Sequence, residues 1–312
     1  MKVLRISMAL VGVMTLAPSL WAQESTLQPV PAAPSPIATQ ARMLDASVAG
    51  TRIVSVGDHG VVLLSDDQGK TFRQAESVRV STPLTGVSFV DDKHGWAVGH
   101  WGAVLATQDG GETWETLRLT ADEDRPLFDV HFFNAQEGVA VGLWGLVLTT
   151  SDGGKTWNEQ ALQPPSEGGR GDLNLMGLFA DSQGRLYATA ERGKVLRSSD
   201  NGHSWEYLDT GYDGTFWTGA AMPDGRLLVG GQSGTLMLGT PDGKVWKKVP
   251  LDSRSSITAI NVSGSKVDVI GLDGLLATST DGAASFDVGR MPDGASLATV
   301  INQTVAKLAG RG

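Results

Sequence analysis

Thr107-Gln108-Asp109-Gly110-Gly111-Glu112-Thr113-Trp114 is one copy of a turn that recurs along the chain. The shared pattern is Ser/Thr-x-Asp-x-Gly-x-Ser/Thr-Trp/Phe. Its aspartates are Asp67, Asp109, Asp152, Asp200, Asp242 and Asp281, at intervals of 42, 43, 48, 42 and 39 residues. The fifth copy has lost a residue before Trp246, and the sixth carries Ala283 in place of the glycine. A period of this size, built from short strands, predicts radially repeated four-stranded blades.

Upstream of each copy lies a second signature. It reads Val-Gly-Asp-His-Gly (56–60), Val-Gly-His-Trp-Gly (98–102) and Val-Gly-Leu-Trp-Gly (141–145), then Ala-Glu-Arg-Gly (190–193), Gly-Gln-Ser-Gly (231–234) and Gly-Leu-Asp-Gly (271–274). Apolar runs flank each one, which predicts a β-hairpin. An inner strand precedes it, as in Leu127-Phe128-Asp129-Val130-His131-Phe132. Each unit is thus four antiparallel strands, with inner strands apolar enough to be covered on both faces. No helix-period segment of useful length falls between residues 41 and 290.

The Asp motif has a physical task. A short carboxylate accepts hydrogen bonds from N–H groups of its own turn, the glycine permits a positive φ, and the aromatic ring buries a large area. Calcium binding is the functional alternative, but one carboxylate per turn falls short of the 6–8 oxygens a calcium ion takes. No cofactor or metal site is expected.

These motifs resemble the Asp-box, or bacterial neuraminidase repeat, of sialidases and related propellers. Paired with the Val-Gly-x-x-Gly signature, they are most similar to the photosystem II stability/assembly factor family and its bacterial relatives outside photosynthesis. The resemblance runs over residues 41 to 311. It implies a non-catalytic β-propeller that binds a membrane or cell-envelope protein complex, with exporters of the resistance-nodulation-division (RND) type among the partners. The other reading is a carbohydrate-active Asp-box protein, either a sialidase-like glycosidase or a lectin-like binder.

Six Asp motifs give blades at roughly 41–79, 82–120, 126–163, 173–209, 213–250 and 255–289. Ser296–Ile301 reads as another inner strand and Thr304–Gly312 as a second one. Residues 26–38 could supply an outer strand, although Pro29, Pro31, Pro34 and Pro36 suit only an extended edge. Seven blades, the last closed by both termini, are therefore favoured over six.

Residues 1–22 read as a secretory signal peptide. Lys2 and Arg5 start it, an apolar stretch runs from Ile6 to Ala17, and cleavage is expected after Ala22. The stretch is short for a span of about 20 residues. An extended linker, 23–40, and a single propeller domain, 41–312, would follow, exported to the periplasm or beyond. The chain has no cysteine, and losing residues 1–22 moves its net charge from −9 to −11, since two cations and no acid leave. Such acidity does not fit a nucleic-acid binder.

Catalytic patterns are scarce. The resemblance to sialidases would bring an arginine triad and a Tyr–Glu pair, yet the only tyrosines are Tyr187, Tyr207 and Tyr212. Asp45 and Asp129 occupy equivalent inner-strand positions and leave a carboxylate pair open, although a repeated structural role serves as well. His94 and His100 flank one strand and should face opposite ways. What remains is surface. The Asp motifs mark one face; the other presents His59, His100, Trp101, Leu143, Trp144, Glu191, Arg192, Gln232 and Asp273. Trp101 and Trp144 stand at equivalent tight turns of neighbouring blades, and exposed aromatics concentrate at binding hot spots. The alternative is that each ring folds back over its own blade.

Overall fold

The computed structural model describes residues 30–120, 123–166 and 168–300. Within them, six antiparallel sheets follow in chain order, each with its strands in sequence order. Blade 1 is Met43–Ala49, Arg52–Gly57, Val62–Ser65 and Arg73–Gln74; blade 2 is Leu84–Phe89, Gly95–Gly99, Val104–Thr107 and Thr113–Arg118. Blade 3 runs Leu127–Phe132, Gly138–Gly142, Val147–Thr150 and Asn158–Glu159; blade 4 runs Leu175–Ala180, Leu186–Ala190, Lys194–Ser198 and Glu206–Asp209. Blade 5 is Phe216–Ala221, Leu227–Gly231, Leu236–Gly239 and Trp246–Lys248; blade 6 is Ile257–Ser263, Lys266–Gly271, Leu275–Ser279 and Asp287–Arg290. A fifth strand, Ser77–Val78, pairs parallel with Thr113–Arg118 at the rim of blade 2.

The core is a series of apolar layers between blades. Val54, Val56, Val62 and Leu64 of blade 1 meet Ala97, Leu105 and Trp114 of blade 2. Trp96 stacks on Phe132 across the next boundary, with ring centroids 3.6 Å apart. This explains why the second and third strands are apolar at nearly every position: both of their faces are covered.

The Asp motifs form the closed turns expected of them. In blade 2, the Thr107 hydroxyl donates to Asp109 Oδ1 at 2.7 Å and accepts from Gly111 N–H at 3.0 Å. Asp109 Oδ1 then accepts from Thr113 N–H and Oδ2 from the Thr113 hydroxyl. Trp114 Nε1 donates to Gly111 O at 2.9 Å, locking the ring over the turn. In blade 3, the Thr156 N–H and hydroxyl hold the Asp152 carboxyl below the usual carboxylate range. The same set recurs at Asp67, Asp200 and Asp281. The eroded copy keeps only Thr240 and Lys244 on Asp242.

In four copies the turn glycine has φ between 83° and 90°; the sixth holds Ala283 at φ 64°. An L-residue there costs about 1–2 kcal/mol. Ala283→Gly is therefore expected to stabilise the protein by up to about 1 kcal/mol, the buried methyl and the looser unfolded chain offsetting the rest. A melting temperature that fails to rise would mean Ala283 is relaxed.

The blade count is corrected to six. Residues 296–300 do arrive where a seventh inner strand would lie. The Thr258 hydroxyl donates to Leu297 O at 2.6 Å, just as Thr85 donates to Leu127 O at 2.7 Å one boundary after blade 2. Leu297 and Val300 pack on Ile270 of blade 6. No described strand pairs with them, however, and the expected second strand, 304–312, lies outside the described residues. The outer strand expected from 26–38 is also absent from its described part, 30–38. There Ala32 N–H donates to Val78 O at 2.9 Å, and the Gln74 side chain bonds Ser35 N–H and Ala33 O. The segment thus lies against the rims of blades 1 and 2, where prolines lacking an N–H can lie extended without pairing.

Candidate partner-binding face

Each blade joins its second and third strands by a turn on the face opposite the Asp motifs. In blade 2, Ala103 N–H donates to His100 O at 3.2 Å, enclosing Trp101 and Gly102. Both have left-handed backbones, φ 58° and 56°. This is the two-residue turn whose twist matches flanking strands and which favours Asn-Gly or Asp-Gly. Here the first central residue is His59, Trp101, Trp144, Arg192, Ser233 or Asp273, with φ of 54–58° in all six blades. A bulky side chain at positive φ is a true outlier, and such outliers cluster at binding sites.

Packing from the neighbouring blade connection holds the turns in place. A Cβ on the second central glycine would collide with Val80 O at Gly60, Tyr212 O at Gly193 and Ser253 O at Gly234. Trp101 O accepts from Thr120 N–H at 2.9 Å, and Trp144 N–H donates to Asn174 Oδ1 at 2.9 Å. Asn174 Nδ2 in turn donates to Glu191. Glu191 therefore supports the Trp144 turn rather than standing free. Asp273 likewise accepts from the Ser255 hydroxyl at 3.1 Å.

His59, Arg192 and Asp273 are exposed and Trp101 is half-buried. Trp144 is 58% exposed, so this ring does not fold back over its blade. His100 precedes Trp101, and Gln232 precedes the left-handed Ser233, so in blade 5 the counterpart of the tryptophans is Ser233. His94 bonds Asp91 at the Asp-motif end of its strand, away from His100, as the spacing required. Tyr187 lies in the second strand of blade 4 and Tyr207 in its outer strand.

The structure adds a feature that motif reading missed. Every inner strand has a bulge at its second residue, where register with the second strand slips. Bulges re-aim side chains. The extra residues are Leu44, Thr85, Phe128, Met176, Trp217 and Thr258, and all line the central channel. Leu44 and Trp217 also line a mouth of about 420 Å³ beside Leu272 of the blade 6 turn, which places this collar on the face of the turns. The available signal was a large apolar residue directly following a core leucine or phenylalanine, as in Leu127-Phe128, Leu175-Met176 and Phe216-Trp217.

The channel, collar included, holds about 480 Å³. Asp45 and Asp129 both line it, as their equivalent positions suggested. Each accepts a backbone N–H from the next blade: Asp45 Oδ2 from Val87 at 2.9 Å, Asp129 Oδ2 from Leu178 at 2.7 Å. Burial pushes both carboxyls upward, and the charge of Asp129 adds to the push on Asp45. Among the described residues, no cluster of three His, Asp or Glu side chains is placed to hold a metal ion.

Residues 74–206, from the rim of blade 1 through the fourth Asp motif, match the family model of the photosynthesis system II assembly factor YCF48. The chain has the β-propeller fold of the YCF48 structures it resembles. It superposes on YCF48 bound to a D1 peptide with a TM-score of 0.67 at 20% identity, over 83% of this chain and 86% of that one. YCF48 from Cyanidioschyzon merolae gives 0.65 at 19% identity, over 85% and 89%. An ancestral GH74 enzyme gives 0.61 at 14% identity, but this chain spans only 38% of it. No curated protein matches the sequence. The matched stretch holds blades 2 and 3 and the first three strands of blade 4, hence Trp101, Trp144 and Arg192 together.

Proposed function

We propose that this chain is a non-catalytic propeller scaffold that binds a segment of a membrane or cell-envelope protein complex on the face of its left-handed turns. One observation carries the reading: a partly exposed apolar collar of Leu44, Phe128, Met176 and Trp217 sits inside a ring of strained, outward turn residues. An apolar centre with a polar rim is the anatomy of a protein interface. A YCF48 structure that holds a D1 peptide supports a peptide segment as the bound element. The two channel carboxylates support the non-catalytic side, since both are engaged with backbone N–H groups. We place the chain outside the cytoplasm on its N-terminal pattern, with cleavage after Ala22, and take an RND-type exporter as the partner complex to test first.

The test uses the mature chain, 23–312, against solubilised envelope proteins, followed by affinity measurement with the purified exporter. Trp101→Ala with Trp144→Ala should weaken binding at least about thirtyfold for each ring that acts as a hot spot of 2 kcal/mol. The melting curve should move little, because Trp144 is exposed and Trp101 is only half-buried. Unchanged affinity in the double variant would remove the face from consideration. Wild-type binding to another envelope protein instead would keep the face and replace the exporter.

A further inference from the structure

The Asp motifs bond to neighbouring blades as well as within their own turns. In blades 2, 3, 5 and 6, the carbonyl just before the turn glycine, or before Ala283 in its place, accepts an N–H from the preceding blade. Arg52 Nη1 donates to Gly110 O at 3.1 Å and Trp96 Nε1 to Gly153 O at 2.9 Å. Arg197 Nη1 donates to Asp242 O at 3.1 Å and Arg226 Nη2 to Gly282 O at 3.2 Å. All but Trp96 are guanidinium donors. Each guanidinium also meets a carboxylate of its own blade: Arg52 meets Asp66, Arg197 meets Glu206 and Arg226 meets Asp224, at 2.5–2.7 Å. One cation thus bridges a carboxylate of one blade and a motif carbonyl of the next, and such charge-assisted bonds are the stronger kind.

The boundary between blades 3 and 4 keeps both acceptors and lacks the cation. Strand pairing puts Ile53, Gly138 and Leu227 at one level, opposite Ser65, Thr150 and Gly239. The residues just before them are Arg52, Glu137 and Arg226. Glu137 therefore stands where blades 1 and 5 carry arginine. Among the described residues its carboxylate has one partner, Asn134 Nδ2 at 2.9 Å. In blade 4 the turn glycine is Gly202, which accepts from Trp205 Nε1, so the motif carbonyl is that of Asn201. Among the described residues nothing donates to it. Glu137 and Asn201 line one cavity of about 50 Å³ together with Thr149, Ser151, Asn158 and His203, and no lysine or arginine lines it. One water needs about 10–15 Å³ of such space, so the cavity takes a few heavy atoms, the size of a guanidinium head.

We propose that this cavity receives a guanidinium group, supplied by an arginine side chain of a partner protein. The incoming group completes at this boundary the bridge that blades 1, 4 and 5 build from their own arginines. Glu137 supplies the opposite charge and Asn201 O the directed acceptor. An ammonium matches less well, because a planar fork is what spans a carboxylate and a carbonyl together. The site lies on the face of the Asp motifs, so it is a contact separate from the turns that carry Trp101 and Trp144.

Titrating N-acetylarginine amide into the isotope-labelled full chain tests the site by NMR. The amide resonances of Glu137, Asn201 and His203 should shift saturably. N-acetylcitrulline amide, of the same shape without the charge, should bind at least about tenfold more weakly, the smallest loss expected for a charge-assisted bond. Glu137→Gln should weaken the arginine probe by a similar factor. Glu137→Arg should fill the cavity from within, abolishing the titration and raising the melting temperature. Both variants change an exposed side chain, and Glu137→Gln decides if the arginine variant fails to fold. Absence of a saturable shift, equal affinity for the citrulline probe, unchanged affinity in Glu137→Gln, or an unchanged titration in folded Glu137→Arg overturns the proposal.

Discussion

Trp114→Ala should cost about 3–5 kcal/mol of folding stability, the range for removing a large buried ring. Trp114 has no exposed surface, packs edge-on to Phe89 at 6.0 Å, and shares one apolar layer with Val54, Val56 and Leu64 of blade 1. Its indole N–H also closes its own Asp motif. The loss therefore combines a cavity between two blades with an opened turn. Trp144→Ala is the matched control, with an expected change within about 0.5 kcal/mol, as for surface positions. Urea unfolding midpoints compare the two directly. A loss below about 1 kcal/mol at Trp114 would mean that blades 1 and 2 meet without it.

Gly193→Ala should be the most damaging single methyl in the ring. The new Cβ would collide with Tyr212 O, which belongs to the connection into blade 5, and φ there is 64°. Overpacking of a rigid backbone contact costs about 1–3 kcal/mol, added to about 1–2 kcal/mol for the left-handed alanine. Gly184→Ala isolates the second term, because φ is 77° but nothing lies within 4 Å. The difference between the two variants then measures the collision alone. Equal losses would show that the turn yields freely.

The fold was legible because its signals are local and repeated. An acceptor, a glycine and an aromatic at fixed offsets within eight residues define the Asp turn, and its period counts the blades. Closure was less legible. Ser296–Ile301 reads as an inner strand and its described part, 296–300, does reach that place, but whether a segment completes a sheet depends on what pairs with it, which no local pattern states. The prolines of 30–38 spoke correctly for an extended path and were silent on which blade it follows. The turn face was half legible: Gly-Trp-Gly spacing marked Trp101 and Trp144. The collar was hidden, since a bulge is a property of two paired strands rather than of either one.

The six left-handed turns present five kinds of side chain, tryptophan twice, yet share one backbone conformation. Main-chain hydrogen bonds and two tightly packed glycines impose that conformation, in blade 2 as in blade 6. The displayed residue consequently behaves like a letter in a fixed typeface. His, Trp, Arg, Ser or Asp can be exchanged at one blade with little consequence for the next. On the docking face proposed above, specificity would then change by single substitutions while the ring beneath stays intact.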